Sequence, residues 1–180
     1  MVEALWDRLA RIASFWTFLA LFALSTIFTV FFFNPLGEAY GGEKSLDGHT
    51  MGFSPHYARE RFARFTDAQL SVYLGQESTV DLIFPIVYSS MLAVAVAGLG
   101  RRARVPHWLV ILPFAAALAD YGENLSVIVM ILRHRARLPL PELTLLFGSI
   151  SSHLKWLLLT LSLAAVVWAA VARLLRPRDV

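Results

Sequence analysis

The run from Trp108 to Leu132 contains no lysine or arginine, and its two acidic residues, Asp120 and Glu123, fall in its middle. At ~1.5 Å per residue a helix over this run exceeds the ~30 Å hydrocarbon core of a bilayer. Asp120 then lies ~18 Å from either end. A charged side chain at that depth costs at least ~2.5–3.5 kcal/mol, so it must face the protein interior and find a partner. On a helix Asp120, Glu123, Asn124 and Val127 share one face, and Tyr121 points ~100° away. One polar stripe therefore has to meet another.

The partner is named by elimination. Lys155 is the lysine or arginine that lies deep inside an apolar run, Leu143–Val171. The short connection Arg133–Glu142 makes the two runs antiparallel neighbours. Counted inward from that connection, Asp120 and Lys155 reach the same depth, ~18 Å. Glu123 falls level with Ser152 and His153. The expectation is a cluster of Asp120, Glu123, Lys155 and His153 at one height. Gly148 and Ser152 form a small-xxx-small pair that lets helices approach closely beside it. Two carboxylates and one ammonium leave a negative charge uncompensated. Such a site is expected to take up a proton, shared across the pair with His153 nearby.

The rest of the chain agrees with a membrane setting. It is 57% hydrophobic, with mean hydropathy +0.60, too apolar for an ordinary soluble domain. Four apolar runs have spanning length: 12–33, 82–100, 108–132 and 143–171. The predicted fold is all-α, a four-helix transmembrane bundle forming a single integral membrane domain over 1–180, with short interfacial helices in the first loop. The first run is longer than a signal-peptide core and no small-x-small cleavage site follows, so it reads as a retained span. Its hydroxyls at Ser14, Thr17, Ser25 and Thr29 suit bonds to backbone or a neighbouring helix. There is no cysteine, which excludes disulfides, thiolate metal sites and cysteine nucleophiles. Arg101-Arg102-Ala103-Arg104 and Arg133-His134-Arg135-Ala136-Arg137 abut spans, so they read as lipid-headgroup anchors and not as nucleic-acid contacts.

Flanking charge sets the orientation. Arg8, Arg11, Arg101, Arg102, Arg104, Arg173, Arg176 and Arg178 share one side, against Arg133, Arg135, Arg137, Lys44 and Arg64 on the other. Both termini are expected to be cytoplasmic, with the long loop outside.

That loop divides in two. Asn34–Phe53, rich in glycine and polar residues, reads as irregular. From Ser54 to Val80 helix signals appear. Ser54-Pro55 is an N-cap with proline at the first helical position. Tyr57, Phe62 and Phe65, with Arg59, Glu60, Arg61 and Arg64 between them, suit an amphipathic interfacial helix. Thr66-Asp67-Ala68-Gln69 resembles a capping box opening a helix to about Leu74, with Gly75 as its stop. This segment reads equally as a lid or as a surface connector. Ser78-Thr79-Val80-Asp81 is a second capping-box-like signal. Asp81 suits a helix-start carboxylate, yet it shares a face with Pro85, Tyr88, Leu92 and Ala95. A polar track Asp81, Tyr88, Glu123, Asp120 is then possible, with Tyr88 and Asp81 at its mouth. Pro85 and Pro113 interrupt helices, as kinks beside cavities do.

Three uses fit such a site. It can be a structural ion pair that fixes helix register, in a membrane subunit or homo-oligomer. It can bind a lipid-soluble molecule or perform acid–base chemistry on one, with Asp120 and Glu123 as acid and base, Lys155 tuning their charge, Asn124 orienting, and Asp81, Tyr88, Ser152 and His153 contributing to binding. It can relay protons or ions. No metal or cofactor is expected: Asp-x-x-Glu is not the Glu-x-x-His spacing of di-iron bundles, a lysine among the ligands repels a cation, and His49, His56, His107 and His134 are scattered. The succession Asp81-Leu-Ile-Phe-Pro85-Ile-Val-Tyr88, Asp120-x-x-Glu123-Asn124 and Lys155 resembles small four-span bacterial membrane proteins with no assigned activity, over roughly Ser54 to Trp168. The resemblance implies the span number and the grouping of these residues, and no reaction.

Overall fold

Ser14 breaks what the sequence reads as a simple lead into the first span. In the computed structural model, which describes residues 1–39, 45, 46, 48, 49, 51–103 and 105–175, the N-terminal segment is a separate helix, α1 (Val2–Ile12). Ala13 turns the chain to an extended conformation, and the Ser14 hydroxyl then caps the next helix by accepting from Thr17 N at 3.0 Å. The first apolar run was expected to start at Ile12; it starts at Phe15. Trp6 and Leu9 of α1 are buried, and Trp6 stacks on His107 with ring centroids 4.6 Å apart.

The first span is α2 (Phe15–Ile27), continued by a π-helical stretch (Phe28–Phe33) and α3 (Asn34–Ala39). Asn34 and the residues after it were expected to be irregular; the helix runs on to Ala39 instead. Then follow α4 (Pro55–Arg64), α5 (Asp67–Glu77), α6 (Val80–Ala103), a 3-10 turn (His107–Val110), α7 (Ile111–Arg135) and α8 (Glu142–Leu174). The fold is all-α. Among the described residues, four helical segments, Phe15–Phe33, Val80–Arg101, His107–Arg135 and Glu142–Leu174, are long and apolar enough to cross a membrane. Lys44, Arg104, Arg176 and Arg178 of the charge comparison lie outside the described residues.

The spans do not contribute equally. α6, α7 and α8 pack on one another, while α2 meets them chiefly through α6 and has no buried residue. The α7–α8 contact is closest. A Cβ on Gly148 would sit 2.9 Å from Ser126 Cβ, and one on Gly122 would sit 2.8 Å from Ser151 Oγ. Small residues on both helices, not on α8 alone, set the approach.

Proline acts differently at its two positions. Pro113 lies in the first turn of α7, where its missing N–H interrupts nothing. Pro85 lies inside α6 and leaves the carbonyl four residues back, that of Asp81, without its helical donor. Asn124 Nδ2 donates to that carbonyl at 2.9 Å, and Tyr121 Oη donates to the neighbouring Leu82 carbonyl at 2.8 Å.

The loop segment from Ser54 is a cap, not a free lid. Ser54 and the Thr66/Gln69 capping box open α4 and α5 as their sequence signals require. Phe53, Ala58, Phe62, Leu70 and Tyr73 then form a core with Val127, Met130 and Ile131 of α7 and Leu145 of α8. Arg61 was expected on a polar face; it is buried, with its guanidinium 4.2 Å from the Phe65 ring centroid. Gly75 does not stop α5, which continues to Glu77. The second capping signal is also read differently by the chain. Ser78 and Thr79 turn back, donating to the Leu74 and Gly75 carbonyls at 2.5 and 2.6 Å, and so finish α5 rather than open α6. α8, at 33 residues, measures ~50 Å and overshoots the hydrocarbon core, which lets its first turns join this cap.

The two glycines differ in what resists a methyl group. Gly148→Ala presses on a Cβ, which cannot rotate away, and is expected to cost ~1–3 kcal/mol by overpacking. Gly122→Ala presses on a hydroxyl that can turn, and should cost less. Unfolding titrations in mixed micelles check the order; equal or reversed costs would contradict the contact.

Candidate functional site

Three helices bring their polar side chains to one height. Asp120 and Glu123 come from α7, Lys155 from α8 and Tyr88 from α6. Lys155 Nζ donates to Asp120 Oδ1 at 3.3 Å and forms an ion pair with Glu123. Tyr88 Oη donates to Asp120 Oδ2 at 3.0 Å. Asp120 thus accepts from a phenol on one oxygen and an ammonium on the other. Lys155 Nζ also lies 5.8 Å from the Trp156 ring centroid, within cation–π range. Glu123 is fully buried, and Asp120, Tyr88 and Lys155 are nearly so. At such burial the attraction between the ammonium and the carboxylates is screened far less than at a surface.

Not every expected residue joins. His153 is exposed on α8, its Nδ1 2.7 Å from the Ser149 carbonyl, with Gly52 packed against it. The turn between Glu123 and His153 was right in height and wrong in face: two residues before Lys155 on a helix point ~160° away from it. Ser152 is fully buried, but its hydroxyl has no hydrogen-bond partner among the described residues. Tyr88 was placed at the mouth of a track; it reaches the centre. Asn124 is buried beside the cluster, with its carboxamide spent on the carbonyl that Pro85 frees. Asp81 is a first-turn carboxylate that accepts from Gln76 Nε2 at 2.7 Å.

Asp81 and the cluster are nevertheless connected, by a cavity of about 640 Å³. Its polar wall carries Gln76, Asp81, Tyr88, Asp120 and Lys155. Its apolar wall carries Phe84 and Met91 of α6 and Leu159 and Leu163 of α8. Thr29 and Phe33, from the π-helical stretch, close it on the side of the first span. Ser45 and Gly48 of the loop also border it. The loop is fastened there: Leu46 N donates to Tyr73 Oη at 3.0 Å, and Ser149 Oγ donates to the Phe53 carbonyl at 2.7 Å. Thr29, Thr160 and Leu163 are exposed, so the cavity opens sideways between the first span and α8.

Neither Gln76 nor Trp156 stands out in the sequence as part of the site. Trp156 lines the cavity, and its Nε1 has no hydrogen-bond partner among the described residues. The Pro85–Asn124 relation carried a usable signal, because the carbonyl freed by an internal proline can be counted without coordinates. As for cations, Lys155 Nζ already occupies the position between the two carboxylates where one would sit.

Two tests follow from this geometry. Asn124→Leu leaves the Asp81 carbonyl buried without a donor, at a cost of ~1–3 kcal/mol. In a Pro85→Ala background the backbone N–H at position 85 supplies that donor, so the same change should cost much less; additive costs in a double-mutant cycle would refute the link. Lys155→Met leaves two acids facing one another and is expected to destabilise by ~3–5 kcal/mol, whereas adding Asp120→Leu and Glu123→Leu restores most of the loss. Equal instability of the single and triple variants in denaturant titrations would count against the ion cluster.

No protein-family model, curated protein or solved structure matches this chain.

Proposed function

We propose that the cavity takes a lipid-soluble molecule from the bilayer and presents its polar end to Asp120 for acid–base chemistry. The observation that supports this most is where the cluster lies. An ion pair that only fixes helix register has no need of open space, yet Asp120 and Lys155 both form part of the cavity wall. The volume, about 640 Å³, falls within the ~300–1,000 Å³ usual for small-molecule sites, and its mix of apolar walls and a few convergent polar groups is theirs too.

Roles follow from position. Asp120 is the carboxylate that a ligand could touch, and it would accept or return the proton. Glu123 is buried away from the cavity and holds Lys155 in place as its counter-ion. Tyr88, already bonded to Asp120, sits where a shared proton can pass between phenol, carboxylate and ligand oxygen. Asp81 and Gln76 line the end nearer the cap. The sideways opening suits a substrate that arrives dissolved in lipid. The protein would sit in a bacterial plasma membrane with both termini cytoplasmic, the side that carries Arg8, Arg11, Arg101 and Arg173.

Mass spectrometry of the protein released intact from native-membrane discs tests this reading. The wild type should carry a hydrophobic small molecule. Leu159→Trp fills the cavity while keeping every charged side chain of the cluster and should abolish its retention. Asp120→Asn keeps the shape and should weaken retention by about tenfold, or ~1.4 kcal/mol. If all three proteins carry the same bound molecules, or none, the cavity is not a ligand site and the cluster is a helix fastener.

A further inference from the structure

The end of the molecule opposite the cap holds a second cavity, of about 580 Å³, unconnected with the ion cluster. It exists because of the break at Ala13 and Ser14. Gly98 of α6 lets the break come close, since a Cβ there would lie 2.9 Å from Ala13 Cβ. Beyond this contact α2 and α8 leave a groove along α6. Its length is apolar, lined by Phe18, Val94, Leu99 and Val166, and its outer end carries Arg101 and Arg173. Neither guanidinium pairs with a carboxylate among the described residues. Ser14 and Phe15, the start of α2, border the same end, so first-turn backbone N–H groups are close by. Arg101 also borders an adjoining cavity with Arg11 and His107, where Asp7 is the acidic neighbour. Phe15 and Trp16 are exposed at this level, as aromatic side chains are at a membrane interface.

An apolar slot that ends between two arginines at the membrane surface matches one kind of molecule. We infer that this groove seats an anionic phospholipid, with its phosphate between Arg101 and Arg173 at the start of α2 and one acyl chain along Phe18, Val94 and Val166. The site differs from the cavity at Asp120 in both depth and charge. One is lined by carboxylates at mid-membrane; the other is headed by cations at the surface. A phospholipid would also fasten α2, which otherwise meets the bundle chiefly through α6.

The full-length protein in detergent micelles, titrated with phosphatidylglycerol or with phosphatidylcholine of the same acyl chains and read by native mass spectrometry, tests the inference. Phosphatidylglycerol should be retained about tenfold more strongly, as two nearby basic residues imply. Arg101→Gln with Arg173→Gln should remove the preference. Val166→Phe, which narrows the slot, should weaken retention of phosphatidylglycerol, and Val166→Ala should preserve it. Equal retention of the two lipids, or a preference that survives the double substitution, would overturn the site. If inorganic phosphate displaces phosphatidylglycerol and Val166→Phe has no effect, the arginines hold a free anion and the acyl slot is refuted.

Discussion

An ammonium held between two carboxylates, far from water, is the constraint that the central bundle obeys. Lys155 cannot be left in lipid, and neither can Asp120 or Glu123. Their only economical arrangement is mutual, and it requires α7 and α8 to come close at one height. Gly122 and Ser126 on one helix, with Gly148 and Ser151 on the other, allow that approach. Tyr88 extends the arrangement to α6. The three helices that share the charges are the three that pack most closely, whereas the first span, which contributes none of these groups, stays at the edge.

Beside the charges lies a second polar problem. Pro85 removes a backbone donor in a helix that has no water to replace it. Asn124, one residue past Glu123 and on the same face, supplies the donor. The D-x-x-E-N pattern thus divides between two tasks: the acids meet Lys155, and the amide repairs α6. Asp81 contributes its backbone to this repair and its side chain to the cavity, so one turn of α6 serves both packing and the candidate site.

What sequence could reveal depended on whether one helix or several decided the outcome. Spans, the Lys155 partner and the caps at Ser54 and Thr66 follow from local pattern and depth, and the helices place them as expected. His153 matches Glu123 in height along its helix but not in angle around it, and height alone is what a residue count gives. Gly75 and the Ser78–Asp81 signal failed because the hydroxyls of Ser78 and Thr79 had two helices to serve and chose the earlier one. α1 was hidden by its short length and mixed composition: its burial of Trp6 depends on Gly100 and His107, residues remote in sequence. The cavity could not be read at all. It depends on where the first span fails to pack, and absent contacts leave no periodicity.

That loose packing has its own logic. Under the proposed reading, a lipid-borne molecule would reach the site from the side, and one wall would have to be a helix that the fold does not depend on. α2 meets this need, since its apolar residues face outward and its union with the bundle runs through α6. Thr29 and Phe33 of its π-helical turn, Phe28–Phe33, border the cavity. Spaced i, i+4, the two residues share a face, and the wider turn changes the bearing of the residues that follow it. On the opposite side the cap is bound firmly to α7 and α8 through Phe53, Phe62 and Leu145. Movement that admits a ligand is therefore expected at the first span rather than at the loop above it: the segment with the least buried surface opens at the lowest cost.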